Sequence, residues 1–104
     1  MKILLACNAG MSTGIMENLL KNCAEKSGRI AEIKAVPLSE LNTELKDTDV
    51  ILLGPQVRFS LPEVKKLAGD SIIVMVISSQ DFGLMRADNV WKQVMRELAK
   101  RNKI

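Results

Sequence analysis

The sequence predicts a doubly wound α/β sheet of four parallel strands, and three observations carry that reading. Strand-like and helix-like stretches alternate four times along the chain. Two stretches, Val50-Ile51-Leu52-Leu53 and Ile72-Ile73-Val74-Met75-Val76-Ile77, are continuously apolar, which marks strands covered on both faces. The hydrophobic content of 47% includes only 3% aromatics, an aliphatic composition suited to a core between parallel strands and covering helices. Such alternation implies right-handed crossovers with helices on both faces of the sheet. The 104 residues are read as one domain over 1–104, long enough to bury about two thirds of the unfolded surface.

The apolar run Ile3-Leu4-Leu5-Ala6 is the first strand, spanning Lys2 to Ala6. It leads into the loop Cys7-Asn8-Ala9-Gly10-Met11. A helix follows from about Ser12 to Lys26, because Ile15, Leu19, Cys23 and Met16, Leu20, Ala24 recur every fourth residue. Ser12 or Thr13 is expected to cap it, and Gly28 to stop it. Arg29 to Val36 alternates Ala31, Ile33 and Ala35 with Glu32 and Lys34, as a half-exposed edge strand does, and Pro37 ends it. Leu38, Leu41 and Leu45 give a short amphipathic helix with Ser39 as a cap. Asp49 to Gly54 is the central strand. Ser60-Leu61-Pro62-Glu63 begins the next helix, which ends near Gly69. Ser71 to Ile77 is the fourth strand, Ser78 to Gly83 a loop, and a last helix starts at Asp88 or Asn89 with Val90, Trp91, Val94, Met95, Leu98 and Ala99 inward. The expected strand order is 2-1-3-4, a trimmed flavodoxin-like sheet with its switch point beside Cys7.

Cys7 is the candidate catalytic residue. It falls where a strand ends and a helix begins, the edge at which open parallel sheets bind ligands. Backbone N–H groups of a small-residue loop and of a helix's first turn form a donor cluster at a positive dipole end, suited to phosphate. The same field favours thiolate over thiol, so Cys7 is expected to be an exposed, ionised nucleophile. Asn8, Ala9, Gly10, Met11, Ser12 and Thr13 form the candidate phosphate-binding loop. Cys23, on the inward stripe of its helix, reads as an inert core thiol.

Composition removes many alternatives. With no histidine in the chain, no histidine base, Cys-His pair or phosphohistidine exists on it. The two cysteines form neither a Cys-x-x-Cys motif nor a zinc spacing, so no metal or other cofactor is expected, and a reducing compartment is the natural setting. The net charge of +3 arises partly from Lys92, Arg96, Lys100, Arg101 and Lys103, read as a solvated helix face rather than a nucleic-acid patch. Before Cys7 the apolar segment covers only Ile3 to Ala6, against roughly 7–15 residues in a signal peptide. No apolar run approaches the ~18 residues of a membrane span. A cytoplasmic protein without direct membrane insertion is the expectation.

Gly10-Met11-Ser12-Thr13-Gly14 is neither a dinucleotide fingerprint nor a nucleotide P-loop. The enzyme alternative is a small cysteine phosphatase or arsenate-reductase-like protein, whose loop reads Cys-x5-Arg-Ser/Thr. Here Thr13 stands at the arginine position and Gly14 follows. Without the guanidinium the bidentate clamp on a transferring phosphoryl group is absent, leaving a loop suited to hold phosphate on sulfur and pass it on. A redox sensor is a third reading.

Cys7-x-Ala9-Gly10-Met11-Ser12-Thr13, with Leu52-Leu53-Gly54-Pro55-Gln56-Val57 and Leu61-Pro62-Glu63-Val64, resembles the IIB component of the lactose/cellobiose (chitobiose) family of the bacterial sugar phosphotransferase system. The resemblance runs from end to end. It loosens at Phe82-Gly83-Leu84-Met85-Arg86-Ala87, where the family has an aromatic-Gly-x-Met-x-Gly pattern, usually with tyrosine: Phe82 removes a hydroxyl and Ala87 a glycine.

The resemblance implies a phosphotransferase relay. A phosphohistidine on a separate IIA protein donates to Cys7, and the phosphocysteine gives its phosphoryl group to a sugar bound by the membrane IIC component, a cellobiose- or chitobiose-type β-disaccharide. The family's phosphorylated cysteine maps onto Cys7 and its phosphate loop onto Asn8 to Thr13. The loops Gln56 to Phe59 and Gln80 to Phe82 flank the cysteine, making Gln56, Phe59 and Phe82 the candidate partner contacts, although Phe59 could equally be a lid on the core.

Overall fold

The four apolar stretches pair side by side and all in one direction, in the order β2-β1-β3-β4. The strands are β1 Lys2–Cys7, β2 Glu32–Pro37, β3 Val50–Leu53 and β4 Ile73–Val76. The helices are α1 Met11–Lys26, α2 Leu61–Ala68, α3 Ser79–Gly83 and α4 Ala87–Lys100, with 3-10 segments at Leu38–Thr43 and Pro55–Ser60. This is a computed structural model, and it describes residues 1–8 and 11–104, without the side chain of Met11. Ala9, Gly10 and the Met11 side chain, expected in the phosphate-binding loop, lie outside the described residues.

Strand alternation sorts the core into two layers. Ile3 and Leu5 of β1 and Val50 and Leu52 of β3 pack against Met16 and Leu20 of α1 and Val90, Val94 and Leu98 of α4. Leu4 and Ala6, with Ile51 and Leu53, face the other way onto Leu41, Val57, Val64 and Ala68. Both central strands are therefore covered twice, as their unbroken apolar sequence requires.

The edges differ from the sequence reading in two respects. β2 is an edge strand with Glu32 and Lys34 exposed, but it buries Ile33 in the α1–α4 layer and Val36 in the opposite layer, with Ala35 half-buried, so the expected one-faced alternation does not hold to its end. β4 was expected to be buried on both faces, yet Val74, Met75 and Val76 are half-buried. A strand with a single neighbour leaves part of its flank to solvent.

Helix ends follow local chemistry only in part. Gly28 and Gly69 have φ of 69° and 73°, the left-handed conformation that stops α1 and α2. The expected side-chain caps are not made: Pro37 precedes the Leu38–Thr43 segment with no cap bond, and Ser60 makes none to α2. Ser12 and Thr13 lie inside α1, because the helix already runs from Met11. Of the two stripes on α1, Met16, Leu20 and Ala24 are buried, Leu19 and Cys23 are half-buried, and Ile15 is exposed. Two of the basic residues near the C-terminus are tied into the fold: Arg101 donates to the Asp70 carbonyl at 2.7 Å, while Lys103 donates to the Ser71 carbonyl at 2.6 Å and pairs with Asp49 at 3.7 Å. They tie the tail across the sheet.

Candidate functional site

Parallel pairing brings the carboxyl ends of β1, β3 and β4 to one edge, where Cys7, Gly54 and Ile77 emerge. β1 continues through Cys7, which pairs with Pro37 of β2. By the same alternation that turns Ile3 and Leu5 inward, the Cys7 side chain faces the α1 layer. On its other side the register Leu5 with Leu52 and Ala6 with Leu53 continues to Gly54, whose N–H donates to the Ala6 carbonyl at 2.9 Å.

Gly54 is the close neighbour of the thiol. Its backbone is ordinary extended chain at φ −62°, ψ 153°, so no special dihedral calls for glycine there. Space does: a Cβ at this position would stand 2.9 Å from Cys7 Sγ and 3.1 Å from Gln56 Oε1. The thiol in turn donates a long hydrogen bond, 3.5 Å, to Gln56 Oε1.

These contacts correct one expectation. Cys7 was expected to stand exposed in a loop, but it is 4% exposed. The strand extends one residue further than its apolar run, so the thiol ends its side of the sheet instead of starting the turn. Asn8, next in the chain, is exposed in a bend.

The electrostatic arrangement at α1 differs from that of the other α-helices. α2, α3 and α4 each carry a carboxylate in the first turn, namely Glu63, Asp81 and Asp88. α1 carries none. The first-turn N–H groups, which have no intrahelical acceptor, thus keep a positive end that no first-turn acid neutralises. Ser12 is exposed there and Thr13 is buried.

Beside Cys7 lies a cleft of about 200 Å³ lined by Pro55, Gln56, Arg58, Ser79, Phe82 and Gly83. Gln56 belongs both to this cleft and to the thiol's contacts. Arg58 lies in the Gln56 to Phe59 loop and Ser79 in the Ser78 to Gly83 stretch, both expected beside the cysteine, although neither was singled out by itself. Their signals were present, since Ser78-x-x-Asp81 is a helix-start pattern and the Ser78 hydroxyl accepts from the Asp81 N–H at 3.0 Å, beginning α3 where a loop was expected.

The candidate partner contacts separate into two kinds. Phe59 is 77% exposed, which rules out a lid on the core. Phe82, also named as a contact, is 4% exposed and packs with Ile77, Val90 and Trp91. The α3 turn directs its ring inward, so it is a core residue whose edge reaches the cleft. No tyrosine hydroxyl is needed at such a position. Ala87 is likewise buried and begins α4; the left-handed residue of this turn is Met85, with φ 51°, so alanine at 87 meets no backbone conflict.

Cys23 is half-buried. Burial, and then the Asp88 carboxylate, push its thiol above the ordinary value, with Lys26 opposing. Among the described residues no cluster of His, Cys, Asp or Glu could hold a metal ion, and no helix is long and apolar enough to cross a membrane.

A parallel 2-1-3-4 sheet covered by helices, with a cysteine closing its first strand, defines a small doubly wound α/β protein. Comparison with known proteins narrows this. The family described as PTS system, Lactose/Cellobiose specific IIB subunit matches residues 2–93, and the chain belongs to that family, whose components act in sugar phosphotransfer. It is 42% identical over 94 residues to the PTS system galactose-specific EIIB component of Lactococcus lactis subsp. cremoris, covering 85% of this chain and 87% of that one. Identity and coverage are the same for the cellobiose-specific EIIB component of L. lactis subsp. lactis. The oligo-beta-mannoside-specific EIIB component of Bacillus subtilis is 35% identical over 95 residues, covering 90% and 92%. Among solved structures, the cellobiose-specific IIB component of Borrelia burgdorferi is similar with a TM-score of 0.73 at 30% identity, covering 92% of this chain and 89% of that one. The lactose-specific IIB domain of Streptococcus pneumoniae shares the fold, with a TM-score of 0.78 at 17% identity over 92% and 95% of the two chains.

Proposed function

We propose that this chain carries a phosphoryl group on the Cys7 sulfur, between a phosphohistidine of a IIA protein and a sugar held by a membrane IIC protein. The supporting observation is the placement of Cys7 at the end of β1, ahead of a helix whose first turn has no acid of its own. In the first step the thiolate attacks phosphorus in line, the S–P bond forms, the N–P bond breaks and the imidazole nitrogen regains its electron pair. In the second a sugar hydroxyl oxygen attacks, the S–P bond breaks back to thiolate and the hydroxyl proton leaves to a base beyond this chain. Such a loose transition state depends on alignment and charge stabilisation more than on covalent help. Donors from Asn8 to Thr13 hold the phosphate oxygens, mainly through backbone N–H groups.

Transfer needs the thiol uncovered. Cys7 is 4% exposed, and the exposed Gln56 side chain bonded to it is the group that swings aside as a partner docks, with Phe59 as an apolar contact. A cellobiose- or chitobiose-type β-disaccharide is the proposed substrate, supported by the relatives named for cellobiose and oligo-beta-mannoside, and the choice of sugar rests with IIC. The relay operates in the cytoplasm.

Intact-mass measurement after incubation with phosphorylated IIA tests the reading. One phosphate is expected on the wild type and none on Cys7→Ser. Steady turnover of p-nitrophenyl phosphate without uptake from IIA would instead identify a phosphatase.

A further inference from the structure

Arg58 is the one cation lining the cleft beside Cys7, and no carboxylate lines it. Asp81 of α3 does not reach the cleft: it is buried, and its carboxylate receives Asn89 Nδ2 at 3.4 Å and Gln93 Nε2 at 3.2 Å. Among the described residues no ion pair includes Arg58. Its guanidinium is held by its own turn, through Nη1 to the Pro55 carbonyl at 3.2 Å. Among the described residues, four of its five N–H donors meet no acceptor. The same turn carries Gln56, whose Oε1 receives the Cys7 thiol.

We infer that Arg58 is a further catalytic residue of the transfer, binding the phosphoryl oxygens as the group passes to and from Cys7. The inference rests on the carrier reading above. Charge in a loose phosphoryl-transfer transition state spreads over the three equatorial oxygens, and a planar guanidinium matches two of them. The cysteine loop supplies no such group, since Thr13 stands there. Arg58 moves no proton and forms no covalent bond; it donates hydrogen bonds to oxygens that are already anionic. Because it is exposed, water screens it in the free protein. Its effect grows when a docked partner excludes that water and lowers the local dielectric, so it assists transfer within a complex and leaves the isolated phosphocysteine intact.

The test is single-turnover transfer from phosphorylated IIA to wild type, Arg58→Ala and Arg58→Lys over a range of IIA concentrations, together with the half-life of each isolated phosphoprotein. Arg58→Ala is expected to lower the saturating rate about 10²-fold, the scale of losing one oxyanion donor. Arg58→Lys is expected to recover part of it, with all half-lives equal. A loss confined to half-saturation, abolished by salt and with the saturating rate intact, would mean that Arg58 docks a partner carboxylate and would overturn the inference. Unchanged rates throughout would overturn it as well. A wild type that takes up no phosphate at Cys7 would overturn the carrier reading itself, which keeps the two failures apart.

Discussion

Cys7 and Gly54 approach so closely at the end of the sheet that a single methyl group on Gly54 would stand 2.9 Å from the sulfur. Two adjacent parallel strands thus reserve for a thiol the volume that a side chain would otherwise fill. The glycine leaves the Cys7 side chain the room in which it points.

Gly54→Ala is accordingly expected to fold and to misdirect the sulfur. The alanine methyl meets the far end of a rotatable side chain, so Cys7 turns to another rotamer, at a cost of about 1–3 kcal/mol of overpacking. Displacing a reacting atom by an ångström costs roughly 10²-fold in rate. Phosphate uptake from IIA should fall on that scale while circular dichroism is retained; uptake at the wild-type rate would refute the steric argument.

Gln56→Ala should make the thiol easier to reach. It removes the acceptor at 3.5 Å and part of the cover over Cys7. Loss of a hydrogen bond worth about 1 kcal/mol corresponds to roughly fivefold faster alkylation, measured by mass spectrometry of the Cys7 peptide. Slower or equal labelling would show that another group closes the site.

Phe59 and Phe82 predict opposite outcomes. Phe82→Ala opens a hole among Ile77, Val90 and Trp91 and should cost ~3–5 kcal/mol, read from urea unfolding. Phe59→Ala removes an exposed ring, leaving stability within about 0.5 kcal/mol and weakening half-saturation by IIA.

Cys23 gives the pH prediction. Its thiol is pushed up by burial and by Asp88, so at any pH below that raised value it holds less thiolate than a free cysteine. Alkylation of Cys23 should therefore stay slow through the ordinary thiol range and rise only at more alkaline pH. Asp88→Asn removes the charge contribution and should shift the labelling profile downward. Cys23→Ser is expected to loosen packing without affecting phosphate uptake.

What the sequence disclosed follows from how strongly a pattern constrains the chain. Val50 to Leu53 has no polar position, so its double coverage and central place were legible, as were the strand order and the edge character of β2. α3 was not, because Ser79 to Gly83 is too short to show a helical period; only its capping serine betrays it. The burial of Cys7 was missed because one residue decides whether a thiol ends a strand or begins a loop, and propensity does not resolve that step. Phe59 and Phe82 looked alike as aromatic loop residues, and only the turn geometry separates an outward ring from an inward one. Gly54 stood within a recognised motif, yet its reason is a cross-strand distance.

Trp91 is the sole tryptophan of a chain without tyrosine, and its indole N–H reaches the Ser27 hydroxyl at 3.1 Å while the ring sits in the α1–α4 layer. The molecule consequently contains one intrinsic fluorophore, attached to the helical packing and not to the cysteine. Its emission maximum will register loosening of those two helices and stay silent when a variant disturbs only the chemistry, an internal gauge for telling a misfolded mutant from an inactive one.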